Sequence, residues 1–295
     1  MHETMHETMH EIAIIGLGAM GSRMAQRLRA AEHPVVVCSR RRESAKALES
    51  AGATWVHTPR EAARRASIVI SMVTDDEASR AVWLDEANGA LAGLRKGSIA
   101  VESSTLTSGH VRTLANAVSE RGAAFVEAPV IGSRPQAEAG QLIYLVGGEP
   151  EVVERVEPVL RAMGATLHRT GPVGSAMAIK LAVNTLFAAQ IAAWAEVIGV
   201  LDRAGIEAAA AAELLANTPV ASPALRGAAP TIVARRFAPM FPIDLVHKDL
   251  RYFVQAAAEV GARVPNTTTL RESYAQAQRE GYGGENITGV ARVLG

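Results

Sequence analysis

Two hydrophobic rhythms divide this chain. In the first part, short apolar runs recur: Ile-Ala-Ile-Ile at 12–15, Val-Val-Val-Cys at 35–38, Ala-Ser-Ile-Val-Ile-Ser-Met-Val at 66–73, Ser98 to Glu102, Ala124 to Glu127 and Leu142 to Val146. Runs of this length and character read as strands buried on both faces. Between them the apolar spacing changes to three and four. Met20, Met24, Ala25 and Leu28 lie on one face of a predicted helix, and 43–51, Gly109 to Arg121 and 150–162 also read as helix. Strand and helix in alternation predict a parallel sheet covered by helices on both sides.

After about Pro172 the strand signal stops. Ser175 to Ala204 is one long stretch rich in Ala, Leu, Ile and Val at helical spacing, and 206–216, 222–235, 244–260 and 266–280 follow as further helices. The predicted architecture is α/β, a doubly wound parallel sheet over residues 11–172 followed by an all-helical domain over 173–295. Residues 1–10 repeat Met-His-Glu-Thr and are expected to be a disordered leader, having neither the basic start nor the apolar core of a secretion signal. The helix at 175–204 is apolar on most of its faces. So small a helical domain cannot cover all of them, and a second copy of the chain is the expected partner, in a homodimer or homotetramer.

Composition narrows the classes of function. At 295 residues with 48% apolar content, the chain is long enough for two cores. Basic and acidic residues number 30 each, so no net field recruits nucleic acid or a membrane surface. No uninterrupted apolar run reaches the roughly 18 residues of a membrane span, because Asn184, Gln190 and Glu196 break the longest. Cys38 is the only cysteine, which excludes an internal disulfide and a cysteine zinc site and suits a reducing, cytoplasmic setting. Outside the leader, with its His2, His6 and His10, no histidine pair stands at ligand spacing, so no metal is expected.

Gly16-Leu17-Gly18-Ala19-Met20-Gly21 follows the first strand and opens the first helix. In that setting the three glycines serve a tight turn, close approach of a pyrophosphate and close packing of helix on strand. The helix N-terminus adds free N–H groups for the phosphates. The first domain is therefore expected to be a Rossmann-type dinucleotide site. The end of the second strand selects the dinucleotide. An acidic residue there would hold a ribose 2′-OH, but the chain reads Ser39-Arg40-Arg41-Arg42. Guanidinium forks and a hydroxyl suit a 2′-phosphate. The cofactor expected is NADP(H), held by Arg40 with Ser39 and Arg41. The competing reading is a solvated basic turn.

Lys180 stands in Ala178-Ile179-Lys180-Leu181-Ala182-Val183-Asn184, near the start of the long apolar helix. An ammonium among such neighbours is costly without partners. Asn184, four residues on, shares its face. Together they can converge on one oxygen, the lysine moving a proton and the asparagine positioning, with burial drawing the lysine toward the acid–base range. A lysine snorkelling from the helix end explains the spacing equally well.

Five ordered motifs resemble the β-hydroxyacid dehydrogenase family, which includes 3-hydroxyisobutyrate dehydrogenase and the tartronate and glyoxylate/succinic semialdehyde reductases. They are Gly16 through Ala25; Glu102-Ser103-Ser104-Thr105; Ala128-Pro129-Val130 with Gly132-Ser133 and Gly140 through Gly148; Gly171-Pro172-Val173-Gly174-Ser175 leading to Lys180 and Asn184; and Phe241-Pro242 with Lys248-Asp249-Leu250. The resemblance runs over essentially the whole chain after residue 10. It implies that Lys180 is the catalytic lysine and Asn184 its companion. It also implies that Thr105 touches the nicotinamide side, that Val73 and Thr74 line the cofactor path, that Lys248 approaches the nicotinamide ribose, and that Phe241 and Asp249 border the substrate. Core packing for Phe241 and an exposed ion pair for Lys248-Asp249 are the competing accounts.

One position departs from the family. Where its substrate loop carries a serine that helps to hold the substrate carboxylate, this chain has Ile131. Isoleucine donates no hydrogen bond, so an anion would rely on N–H groups near Gly132 and Ser133 and on Ser104, with Arg134 as a further charge. The segment Gly132 to Glu138 is nearer the semialdehyde reductase branch. The expected reaction is NADPH-dependent hydride transfer on a small β-hydroxy acid or semialdehyde. Alternatives are a bulkier or non-carboxylate carbonyl, an imine (which Lys180 argues against), and a non-catalytic NADP-binding module.

Overall fold

The computed structural model describes residues 11–294, so the leader repeat lies outside the described residues. Among the described residues nine strands form one sheet: β1 Ile12–Ile15, β2 Val35–Cys38, β3 Thr54–Val56, β4 Ile68–Ser71, β5 Ile99–Glu102, β6 Ala124–Glu127, β7 Val130–Ile131, β8 Leu142–Gly148 and β9 Gly164–Gly171. Their order is β3-β2-β1-β4-β5-β6-β8-β7, with β9 paired to β8. The first six are parallel neighbours, whereas β8 runs antiparallel to β6 and β7. The crossover reversal at β1 and β4 places the loops after both strands at one carboxyl edge, where a doubly wound sheet receives its ligand.

Successive side chains of a strand face opposite ways, and here both faces are buried. Ile12, Ile14, Val35, Val37, Ile70 and Val101 enter one core. Ala13, Ile15, Val36, Cys38, Val69 and Ala100 enter the other. That double burial is why the strands read as continuous apolar runs rather than alternating ones.

The chain divides into two compact units, one through Lys180 and one from Leu181. The helix Ser175–Arg203 runs from one into the other, and its first turn sends Met177 into the second sheet core. The second unit is helical, with Ala208–Ala216, Pro223–Val233, Ile243–Glu259 and Pro265–Arg279. Its core gathers Ile191, Trp194, Ile198, Ile243, Val246, Leu250 and Tyr274. Ser175–Arg203 is long and apolar enough to cross a membrane by length and composition, with a mean hydropathy of 1.5 over its best window. Half of that window is packed inside the protein, the condition of a core helix.

Candidate active site

The glycine loop does three different things. At Gly16, φ is +97° and an added Cβ would stand 2.3 Å from the Met72 carbonyl oxygen, so the turn is closed to other residues. A Cβ at Gly21 would meet the Gly16 oxygen at 2.0 Å, which fixes how tightly the helix Gly21–Ala30 seats on β1. Gly18 has nothing within 4 Å of an added Cβ. Its open side leaves room for an anion to approach the backbone, and no side chain caps the helix N-terminus at Met20. Leu17 and Ala19 complete the loop. Gly21→Ala is expected to cost about 1–3 kcal/mol of stability through overpacking, whereas Gly18→Leu should melt near wild type yet bind dinucleotide at least tenfold more weakly. Thermal melts beside a dinucleotide titration check both.

After β2, Ser39 Oγ donates to the Arg41 carbonyl oxygen at 2.8 Å and shapes the turn. Arg42 is committed to structure, since its Nη2 donates to Glu49 at 3.0 Å and its guanidinium lies 4.9 Å from the Trp55 ring centroid. Arg40 and Arg41 are exposed and make no salt bridge among the described residues. The basic turn thus separates into one structural arginine and two available for an anion.

Beneath the loops that follow β4 and β5 lies a polar network that joins Ser104, Val73 and Glu102 to Ser79, Trp83 and His110, three residues the sequence did not single out. The Ser104 Oγ accepts the Val73 N–H at 2.8 Å, tying the two loops together. The Ser104 N–H donates to Glu102 Oε1 at 3.0 Å, and Glu102 Oε2 accepts from Ser79 Oγ at 2.8 Å and Trp83 Nε1 at 3.0 Å. His110 Nε2 contacts Ser79 Oγ at 3.0 Å. Ser104 and Glu102 are fully buried, while Thr105 is half-buried and Thr74 exposed at the rim. Burial, chiefly, lowers the His110 pKa, with Arg80 reinforcing it and Asp76 and Glu102 opposing. The native state therefore favours neutral His110, and the unfolded chain takes up the proton first as pH falls through about 6.5. Stability should decline below that pH, and His110→Gln should flatten the decline, as denaturant midpoints at pH 7.5 and 5.5 will report. His247, also lowered mainly by burial, leaves a residual slope.

Glu127 ends β6 opposite Glu102 in register and was also missed as a site residue. Its carboxylate is wholly buried and accepts N–H bonds from Gly174 at 2.7 Å, Ala176 at 2.8 Å and Met177 at 3.3 Å, at the start of the long helix. Burial raises its pKa, and those N–H groups and Arg112 counter the rise. Both glutamates had one available signal, a carboxylate closing an apolar strand at the sheet's carboxyl edge.

In the segment expected to hold the substrate, Ile131 pairs with Ile143 at the end of β7. Gly132 has a φ of +122°. The Ser133 N–H donates to Gln136 Oε1 at 2.9 Å, starting the helix Arg134–Ala139. Of the groups expected to replace the missing serine, the Ser133 N–H is engaged by Gln136, whereas the Ser104 hydroxyl accepts from Val73 and keeps its own O–H to donate.

Lys180 is 8% exposed. One turn along the same helix, Asn184 Nδ2 donates to Asp249 Oδ2 at 2.6 Å. Lys248 Nζ lies 3.0 Å from Asp249 Oδ1 and 5.1 Å from the Tyr252 ring centroid. Asp249 is 2% exposed. The Lys248-Asp249 pair is thus a buried one rather than an ordinary surface pair. Phe241 is half-buried against the helical core, and its N–H donates to Asn286 at 3.0 Å.

Comparison with known proteins gives the family of the chain. Residues 11–180 match the family model for the NAD-binding domain of 6-phosphogluconate dehydrogenase, and residues 174–294 match that for the NAD-binding region of NADP-dependent 3-hydroxyisobutyrate dehydrogenase. The chain belongs to the β-hydroxyacid dehydrogenase family. Glyoxylate/succinic semialdehyde reductase 2 of Arabidopsis thaliana is 30% identical over 283 residues, covering 96% of this chain and 79% of the relative. NAD-dependent L-serine dehydrogenase of Pseudomonas aeruginosa is 30% identical over 291 residues, covering 96% and 97%. The solved 3-hydroxyisobutyrate dehydrogenase of Mycobacterium tuberculosis, with L-serine, superposes with a TM-score of 0.88 at 26% identity, covering 97% of this chain and 99% of that one. As a β-hydroxyacid dehydrogenase, the protein is an NAD(P)-dependent oxidoreductase that transfers hydride at a CH–OH carbon.

Proposed function

We propose that this β-hydroxyacid dehydrogenase uses NADPH to reduce a small semialdehyde-type carbonyl acid to its hydroxy acid, with Lys180 as the proton-transfer residue. The observation that carries the reading is a lysine 8% exposed in an apolar helix, one turn from an asparagine whose amide Asp249 holds at 2.6 Å. When bound, the dinucleotide supplies a hydride to the carbonyl carbon. Lys180 gives a proton to the oxygen as charge gathers there, and its ammonium stabilises that charge. Asn184 fixes the oxygen's position, and Asp249, steadied by Lys248, fixes Asn184. In the first unit we assign Thr105 to the nicotinamide side, Val73 and Thr74 to the cofactor path, and Ser104, Ile131, Gly132 and Ser133 to the substrate. In the helical unit we assign Lys248 to the nicotinamide ribose and Phe241 and Asp249 to the substrate.

The preference for NADPH over NADH rests on Arg40 and Arg41, aided by Ser39, where a carboxylate would favour the 2′-OH. A homodimer or homotetramer is supported by the long helix, on which Leu186 and Val200 are each 65% exposed and apolar. A cytoplasmic setting is supported by the lone, buried Cys38.

Ile131 supports a second reading, in which the substrate is bulkier or lacks a carboxylate. An apolar wall in place of a donor loses discrimination for an anion and admits a larger group. Oxidation of NADPH and of NADH with glyoxylate, succinic, tartronate and methylmalonate semialdehydes decides between them. Turnover with one of these acids, preferring NADPH, upholds the first reading. Turnover confined to uncharged or bulkier carbonyls upholds the second.

A further inference from the structure

We infer that Glu127 is a positioning residue for the reaction: its buried carboxylate holds the first turn of the helix that carries Lys180 and thereby sets where the lysine's ammonium stands. This rests on the assignment of proton transfer to Lys180.

The geometry is specific. A helix leaves its first N–H groups without intrahelical acceptors, and a side chain from its own N-cap residue commonly accepts one of them. Here the acceptor comes from β6, 47 to 50 residues earlier in the chain. One carboxylate takes Gly174, Ala176 and Met177 together, and Ala176 and Met177 precede Lys180 by four and three residues. Those are the positions that share the lysine's helical face. The cradle is closed on the other side, because a Cβ at Gly147 would stand 2.4 Å from Glu127 Oε1. Gly174 is pinned as well, its carbonyl oxygen accepting from Ser108 Oγ at 3.0 Å. The carboxylate therefore has little freedom, and neither has the turn it holds.

A buried charge is costly to desolvate, and an uncharged acceptor would serve simple capping at lower cost. Retaining a full carboxylate gives the strongest acceptor for three donors and complements the positive end of the helix dipole. Glu127 is also the residue before Ala128-Pro129-Val130-Ile131. One side chain thus joins the root of the substrate loop to the root of the catalytic helix, within the same compact unit. A displacement of about 1 Å at a reacting group can cost around 100-fold in rate.

The test compares Glu127→Gln, Glu127→Asp and Lys180→Ala in the full-length enzyme, using the best carbonyl acid from the panel and correcting for folded fraction. In Glu127→Gln, kcat should fall by about 10- to 100-fold with KM for NADPH unchanged, and amide hydrogen exchange should quicken at Ala176 and Met177 before elsewhere. Glu127→Asp, which keeps the charge on a shorter arm, should recover part of kcat and part of the exchange protection, and it carries the test if the glutamine variant fails to fold. Wild-type kcat in Glu127→Gln alongside an inactive Lys180→Ala overturns the role of Glu127 alone. Full turnover by Lys180→Ala removes instead the lysine assignment on which the inference rests.

Discussion

Replacing Lys180 with alanine should lower kcat by about 10²- to 10⁴-fold, the range that a positioned general acid contributes, while dinucleotide affinity stays within about twofold. The two effects separate because the lysine leaves the glycine loop and the basic turn untouched. Hydride reaching a carbonyl carbon puts negative charge on its oxygen, and without a donor that charge must wait for water. An ammonium nearly excluded from solvent is a strong stabiliser there, since its field is little screened. A snorkelling lysine would behave differently: its loss would move the melting point and spare kcat in the folded fraction. Lys180→Arg is the informative companion. It keeps the positive charge but does not release a proton in the working range, so it should remain well below wild type. Steady-state kinetics of the three enzymes, with melting curves, read both outcomes.

Replacing Arg40 with alanine should weaken NADPH binding by about 10- to 100-fold, as expected for loss of hydrogen bonds to a charged group, and leave NADH binding nearly unchanged. Arg42 provides the contrast. It is tied to Glu49 and stacked on Trp55, so Arg42→Ala should act mainly on stability. Arg40→Asp should go further and favour NADH, because a carboxylate there repels the 2′-phosphate and accepts from a 2′-OH. One relative is an NAD-dependent L-serine dehydrogenase, so the preference of this chain needs its own measurement. Calorimetric titration with both dinucleotides measures the switch directly, and equal losses for both would assign Arg40 to the fold of the turn.

Most of this fold was legible because its strands are buried on both faces. The apolar runs at 12–15, 35–38 and 142–146 fall within β1, β2 and β8, and the helix expected at 175–204 ends one residue earlier, at Arg203. The shorter and more exposed elements escaped. β3 has three residues and β7 two, too few to display a period. β9 lies mostly exposed, and its Gly-Ala-Thr-Leu-His-Arg-Thr-Gly carries no apolar run. The helices Pro59–Arg65, Asp76–Leu84 and Arg134–Ala139 were missed as well, although Thr58 and Asp75 cap the first two with side-chain hydrogen bonds.

For the site, local patterns carried what local geometry builds. The glycine loop is six consecutive residues, and Lys180 and Asn184 are one helical turn apart. What the pattern could not contain were partners distant in sequence. Asn184 meets Asp249 across 65 residues, and Glu127 meets Ala176 across 49. The Ser104 hydroxyl also accepts the Val73 N–H across 31 residues, and only packing reveals that.

The proposed transfer of hydride from NADPH to the carbonyl carbon of a small acid is tested most directly with NADPH deuterated at nicotinamide C4. The two C4 epimers are turned over separately with the most active carbonyl acid, and the hydroxy acid formed is examined by mass spectrometry. One epimer should deliver its deuterium to the carbinol carbon and the other should not. Product that carries no label from either epimer, or NADPH that binds without any carbonyl acid being reduced, would contradict the account.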